Sequence, residues 1–118
     1  MFLDLPHSKL DVYICSREMV LECYKLSRMI PDSERFGLIQ QIRRAATSVS
    51  LNIAEGCSRR TSADRRRFFE IARGSVVEID SILDLFYDLK YCTMDNLQPT
   101  GALLIRTFKM LSSMMNKT

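Results

Sequence analysis

The sequence predicts an all-α protein: an up-down-up-down bundle of four helices. Three observations point there. Apolar residues recur at helical period in four separate stretches. Only four glycines and three prolines punctuate 118 residues, too few turns for a sheet-rich fold. No stretch of useful length alternates apolar with polar residues, as a half-buried strand would. Four amphipathic helices joined by short connections pack antiparallel to their neighbours. The length fits one domain, residues 1–118, and a chain of this size buries roughly two-thirds of its unfolded surface. The chain contains no internal repeat and no low-complexity segment.

The first helix is expected over about residues 9–30. Its apolar stripe is Val12, Cys15, Met19, Cys23 and Leu26, and Pro31 ends it, because the residue before a proline avoids the helical region. The second is expected over about 36–56, with Leu38, Ile42, Ala45, Val49 and Ile53 on one face and Gly56 as its C-terminal stop. The third is expected over about 62–91. Thr61 with Asp64 resembles a capping box at its start. Phe68, Ala72, Ser75, Ile79, Ile82, Phe86 and Leu89 follow at alternating steps of four and three, the seam of bundle packing. Gly74 inside this helix predicts a close backbone approach by a neighbour. The fourth helix, about 94–115, is capped by Thr93 and carries Leu97, Leu104, Phe108, Leu111 and Met115. Pro99 either kinks its first turns or delays its start.

Charge is distributed unevenly. Residues 1–42 carry five basic and six acidic groups, and residues 76–118 carry four and five. Residues 43–75 carry eight arginines against Glu55, Asp64 and Glu70, so the net charge of +3 belongs to the middle of the chain. Five of those arginines lie between Arg59 and Arg67. A self-repelling cluster of this kind calls for an anionic partner or for internal carboxylates against it.

On the bundle, Arg59, Arg60, Arg65, Arg66 and Arg67 share one end, at the turn between the second and third helices. Arg65, Arg66 and Arg67 are successive and fan over about 200°, and Arg65 extends the core seam. Arg43 and Arg44 lie about 18 Å up the second helix, with Arg73 at a similar height on the third. The expected result is a basic end with a basic strip leading away from it. A helix N-terminus flanked by guanidinium forks favours phosphate oxygens. The alternative for the same residues is structural: Glu55, Asp64 and Glu70 pair with some arginines, and Arg44 bridges to Glu78. Phe68 is expected inside, with Phe69 and Tyr91 as the exposed aromatic candidates for base stacking.

Other chemistries find little purchase. Cys15, Cys23, Cys57 and Cys92 form no C-x-x-C pair, and Cys15 and Cys23 on one helix stand ~12 Å apart, too far for a disulfide. Reduced, mostly buried thiols and a cytoplasmic location are expected. His7 is the one histidine, so no metal and no cofactor are expected. No cysteine has a basic partner spaced to activate it, and Glu-x-x-His is absent, so no enzyme is expected. No segment approaches the ~18 uncharged apolar residues of a membrane span, and the N-terminus has no signal-peptide pattern.

The stretch QIRRAATSVSLNIAEG (Gln41–Gly56), followed by RRT, RFFEIARGS (Arg67–Ser75) and Glu78, resembles the bacterial four-helix-bundle protein family. Its members include small proteins encoded in intervening sequences of large-subunit ribosomal RNA genes, and the accessory protein of diversity-generating retroelements is a related member. The resemblance runs from LDVY (Leu10–Tyr13) through the fourth helix. It implies a ring-like homopentamer with a basic surface for nucleic acid and, in the retroelement relative, a reverse-transcriptase partner. Arg43, Arg44, Arg59 and Arg67 match the family's basic positions. Asn52, Glu55, Ser75 and Glu78 match its polar positions, with structural roles. Arg65 replaces a common aromatic, Arg60 a common small residue, and Pro99 interrupts the fourth helix.

Two functions follow as expectations. The first is a non-enzymatic, oligomeric RNA- or DNA-binding protein that contacts phosphates through Arg43, Arg44, Arg59, Arg60, Arg65, Arg66, Arg67 and Arg73. The second is a protein-interaction adaptor that docks an acidic partner, a reverse transcriptase for instance.

Overall fold

A computed structural model describes residues 1–117. Among them stand four helices, α1 (Asp11–Ser27), α2 (Leu38–Cys57), α3 (Ser62–Asp88) and α4 (Met94–Lys117), with 3₁₀ turns at Pro6–Lys9 and Asp32–Glu34 and no strand. Each helix packs on its two neighbours in the order α1, α2, α3, α4 and back to α1, and among the described residues the backbones of the diagonal pairs stay more than 8 Å apart, Cα to Cα. The molecule is elongated along the helices, 44 × 29 × 22 Å. No described helix is long and apolar enough to cross a membrane.

The α1 and α2 stripes are buried as expected except at Leu38: Val12, Cys15, Met19, Cys23 and Leu26 face Ile42, Ala45, Val49 and Ile53, while Leu38, the first residue of α2, is half-buried. Burial pushes the Cys23 thiol up to about 12, so it stays protonated at neutral pH. Small hydroxyls bring α1 close to its neighbours. Ser16 and Ser50 share a hydrogen bond of 2.9 Å across α1 and α2, and Cys15 Sγ lies 3.3 Å from Thr107 Oγ1 on α4.

Helix boundaries shift where side chains or backbone geometry intervene. α1 ends at Ser27, three residues short of Ile30. α2 begins at Leu38, because Gly37 holds a non-helical φ of −112° and ψ of −113°. Glu34 reaches forward to cap it: its Oε1 accepts from the Leu38 amide at 3.3 Å and its Oε2 from the Tyr91 hydroxyl at 3.0 Å. That bond also withdraws Tyr91 from the stacking role expected of it, since the side chain is half-buried and held. α3 ends at Asp88, and Lys90, at φ 63°, turns the chain so that the Tyr91 and Cys92 amides both donate to the Phe86 carbonyl.

Gly56 does not stop α2. The helix runs one residue further, and no glycine has positive φ. Its role is steric: a Cβ there would lie 2.7 Å from Phe69 Cε1. Conversely, Gly74 receives no close neighbour, for a Cβ there would meet nothing within 4 Å. The expected close approach is absent, and the glycine simply weakens α3. Gly74→Ala should therefore stabilise the protein by up to ~1 kcal/mol, read as a higher urea midpoint at unchanged slope.

The α3 seam is shifted from the expected one. Phe69, Val76 and Leu83 are buried with Ala72, Ile79, Ile82 and Phe86, whereas Phe68 and Ser75 are half-buried and Leu89 is exposed. On α4, Thr107 takes the core position expected of Phe108, which is 39% exposed. Pro99 sits inside α4 without delaying its start. Thr93 and Asn96 cap that start reciprocally, the Asn96 amide donating to Thr93 Oγ1 at 3.2 Å and the Thr93 amide to Asn96 Oδ1 at 2.9 Å.

Candidate nucleic-acid interface

The link between α2 and α3 spans only Ser58–Thr61, so its arginines and those of the first α3 turns crowd one end of the bundle. Thr61 caps α3 by accepting from the Asp64 amide at 3.1 Å, which fixes the helix start and the directions of Arg65, Arg66 and Arg67. Each arginine then finds its own surroundings. Arg65 turns back along the link, and its Nε donates to the Arg59 carbonyl at 2.8 Å. Arg66 reaches α4, donating to the Met115 carbonyl at 2.6 Å, where a cation also complements the helix C-terminus. Arg59 and Arg67 flank Phe68, each guanidinium carbon 4.8 Å from the ring centroid. Arg60 is exposed and has no ion-pair or hydrogen-bond partner among the described residues.

Three carboxylates answer part of this charge. Arg59 pairs with Glu55 at 3.4 Å, Arg66 with Glu70 at 3.4 Å and Arg67 with Asp64 at 3.6 Å. All three pairs are solvent-exposed and each is worth at most about 1 kcal/mol, so a phosphate can compete for the same guanidinium groups. Stacking on Phe68 restrains both forks; Arg59 Nε is buried there without a partner, while the more exposed Arg67 keeps in-plane N–H edges open to an anion. The aromatic expected inside thus serves as an arginine platform, and Phe69, expected outside, is 2% exposed.

Beside this end lies a depression lined by Leu5, His7, Cys57, Arg65, Phe69 and Lys117, which brings the first turn of the chain and the last turn of α4 to the α2–α3 link. Burial pushes the Cys57 thiol up, and the nearby Arg65 guanidinium only partly offsets this, so nothing here activates the sulfur.

The other three arginines do not continue from this end as one strip. Arg43 leans onto α1, with Nε donating to Ser27 Oγ at 2.9 Å and its guanidinium 5.0 Å from the Tyr24 ring centre. Arg73 leans onto α4, donating to Ser112 Oγ at 3.1 Å and lying 5.6 Å from the Phe108 ring centre. These sides are opposite faces of the bundle. Arg44 is exposed between α1 and α3 and forms no ion pair with Glu78, although both line one polar depression on the α2–α3 face.

Of the four polar positions, two meet. Asn52 Nδ2 donates to the Ser48 carbonyl at 2.8 Å and lies 3.0 Å from Ser48 Oγ, which also receives the Ser75 hydroxyl at 3.0 Å. Ser48, the hub, is not among the residues that the sequence marks out; the signal for it is its i,i+4 spacing to Asn52. Glu78 lines the same depression, and Glu55 lies apart at the arginine-rich end. Among the described residues no group of three His, Cys, Asp or Glu stands close enough to hold a metal ion.

The four-helix fold is the one the sequence resemblance implies. No curated relative matches the chain. The family model for the 23S rRNA-intervening sequence protein matches residues 8–113, from the first 3₁₀ turn deep into α4, and the chain belongs to that family.

Proposed function

We propose that this chain is a non-enzymatic, cytoplasmic, homo-oligomeric protein that binds RNA or DNA by contacts to phosphates. The observation that carries the reading is the arginine-rich end, where Arg59 and Arg67 stack on Phe68 and the neighbouring Arg60 is exposed and unpartnered. Membership of a family named for ribosomal RNA intervening sequences supports an RNA-associated role. Binding through phosphates is weakly sequence-selective and strongly salt-dependent.

The homo-oligomer, a pentameric ring by resemblance, is supported by two apolar grooves on opposite sides of the bundle. Ile14, Leu21 and Leu51 line one between α1 and α2; Val77, Ile105 and Phe108 line the other between α3 and α4. Exposed apolar surface of this kind marks protein contacts. A ring multiplies one modest patch by the number of subunits. The same grooves favour a second reading, in which the oligomer docks another protein such as a reverse transcriptase.

Arg60→Ala with Arg67→Ala tests the first reading, because neither residue holds the fold together. Fluorescence anisotropy across a salt series, at an oligomeric mass fixed by light scattering, should give a steep negative slope of log K against log salt for the wild type. The double variant should bind more weakly, with a slope flatter by about 0.7–0.9 for each phosphate it no longer neutralises. A wild type that binds neither polymer near physiological salt would leave the docking reading.

A further inference from the structure

Phe36 is 83% exposed, on the turn between α1 and α2 and therefore at the end of the bundle opposite the Arg59–Arg67 cluster. A phenylalanine ring held in water is unfavourable unless something covers it. Its surroundings are not those of a protein-docking patch. The shallow depression beside it is lined by Arg35, Arg43 and Arg44, by Tyr24 and Gln40, and by Ile39 as the one aliphatic side chain. Arg35 stands 5.7 Å from the Phe36 ring centre and pairs with Asp32 at 2.6 Å, which holds its guanidinium beside the ring. Arg43 lies over Tyr24, so two aromatic rings and three guanidinium groups share one small area. The apolar grooves suited to a second copy lie elsewhere, on the α1–α2 and α3–α4 faces.

An exposed aromatic face among arginines has a specific chemical match. An unpaired nucleobase offers a π-face for Phe36, and its flanking phosphates offer oxygens to Arg43 and Arg44. A duplex offers the phosphates but keeps its bases stacked on one another. We infer that the Phe36–Arg43–Arg44 surface is a stacking subsite for single-stranded nucleic acid, distinct from the arginine-rich end. The inference rests on the nucleic-acid reading above and specifies the form of the ligand. The two basic surfaces stand at opposite ends of a molecule 44 Å long, so one subunit presents a base-stacking site and a phosphate site far apart.

The chain contains no tryptophan, so Phe36→Trp places a single reporter at the site. The probes are oligouridine, oligothymidine and a DNA dumbbell duplex closed by hairpins at both ends, which has no terminal base pair to stack. Either oligonucleotide should quench the emission of the introduced indole, and the dumbbell should leave it unchanged. Phe36→Ala should lower affinity for the single strands by roughly five- to 150-fold while leaving dumbbell affinity as in the wild type. Phe36 is so exposed that both variants should keep the wild-type circular dichroism and light-scattering mass. Equal affinities for Phe36→Ala and wild type overturn the stacking site and spare the phosphate reading. So does an equal loss on both polymers, or a change of oligomeric mass, which would make Phe36 a subunit contact. A wild type that binds none of the probes overturns both.

Discussion

Phe69→Ala should cost about 3–5 kcal/mol, against total stabilities of about 5–15 kcal/mol for domains of ordinary size. Phe69 is among the largest fully buried side chains, and truncating it leaves a cavity between α2 and α3 that the helices cannot close. Phe68→Ala, one residue away, should cost only about 1–2 kcal/mol. That ring is half-buried, and removing it sacrifices partial burial and two exposed interactions with Arg59 and Arg67, each worth about 0.5–1 kcal/mol. Urea unfolding midpoints at constant slope measure both. Equal costs, or the reverse order, would put Phe68 on the seam instead.

Gly56→Ala should destabilise, although alanine is the better helix former by up to ~1 kcal/mol. Its Cβ would meet Phe69 at 2.7 and 3.0 Å and the Phe68 Cβ at 3.1 Å. The Phe69 ring has core on its other sides and cannot swing clear, so overpacking of about 1–3 kcal/mol outweighs the helix gain. The sign should reverse in the Phe69→Ala background, where the ring is gone and alanine recovers its propensity. A double-mutant cycle on the pair should therefore give a coupling of about 1–3 kcal/mol. A penalty that persists without Phe69 would place the clash elsewhere, at Phe68.

These two residues also show where the sequence stops being legible. The α1 and α2 stripes have one apolar face each and are buried as read, save Leu38 at the first turn of α2, which is half-buried. In α3, Ala72, Ile79 and Phe86 repeat every seven residues and fit either of two seams. The second line of the seam is 69, 76 and 83, with Ile82 buried beside it, rather than 68, 75 and 89; Val76 against Ser75 points to it, while the adjacent phenylalanines hide it. Thr107 was harder to see, because its core position rests on Cys15, 92 residues away in the chain. The crowding of arginines at one end follows from the short α2–α3 link. Their directions do not, since Phe68, the Met115 carbonyl and Ser27 select them.

The depression beside the arginine-rich end has a practical consequence. Leu5 and His7 line it together with Lys117 from α4, so a tag fused ahead of Leu5 or beyond Lys117 starts out beside the guanidinium groups. An acidic tag would shield them, and a polyhistidine tag would add charge of its own as it titrates near neutral pH. Circular permutation separates the two: a short linker joins residues at the present ends, and new ends open in the exposed α3–α4 turn at Leu89–Lys90. The permuted chain would present the arginines bare, with any label at the far end of the bundle.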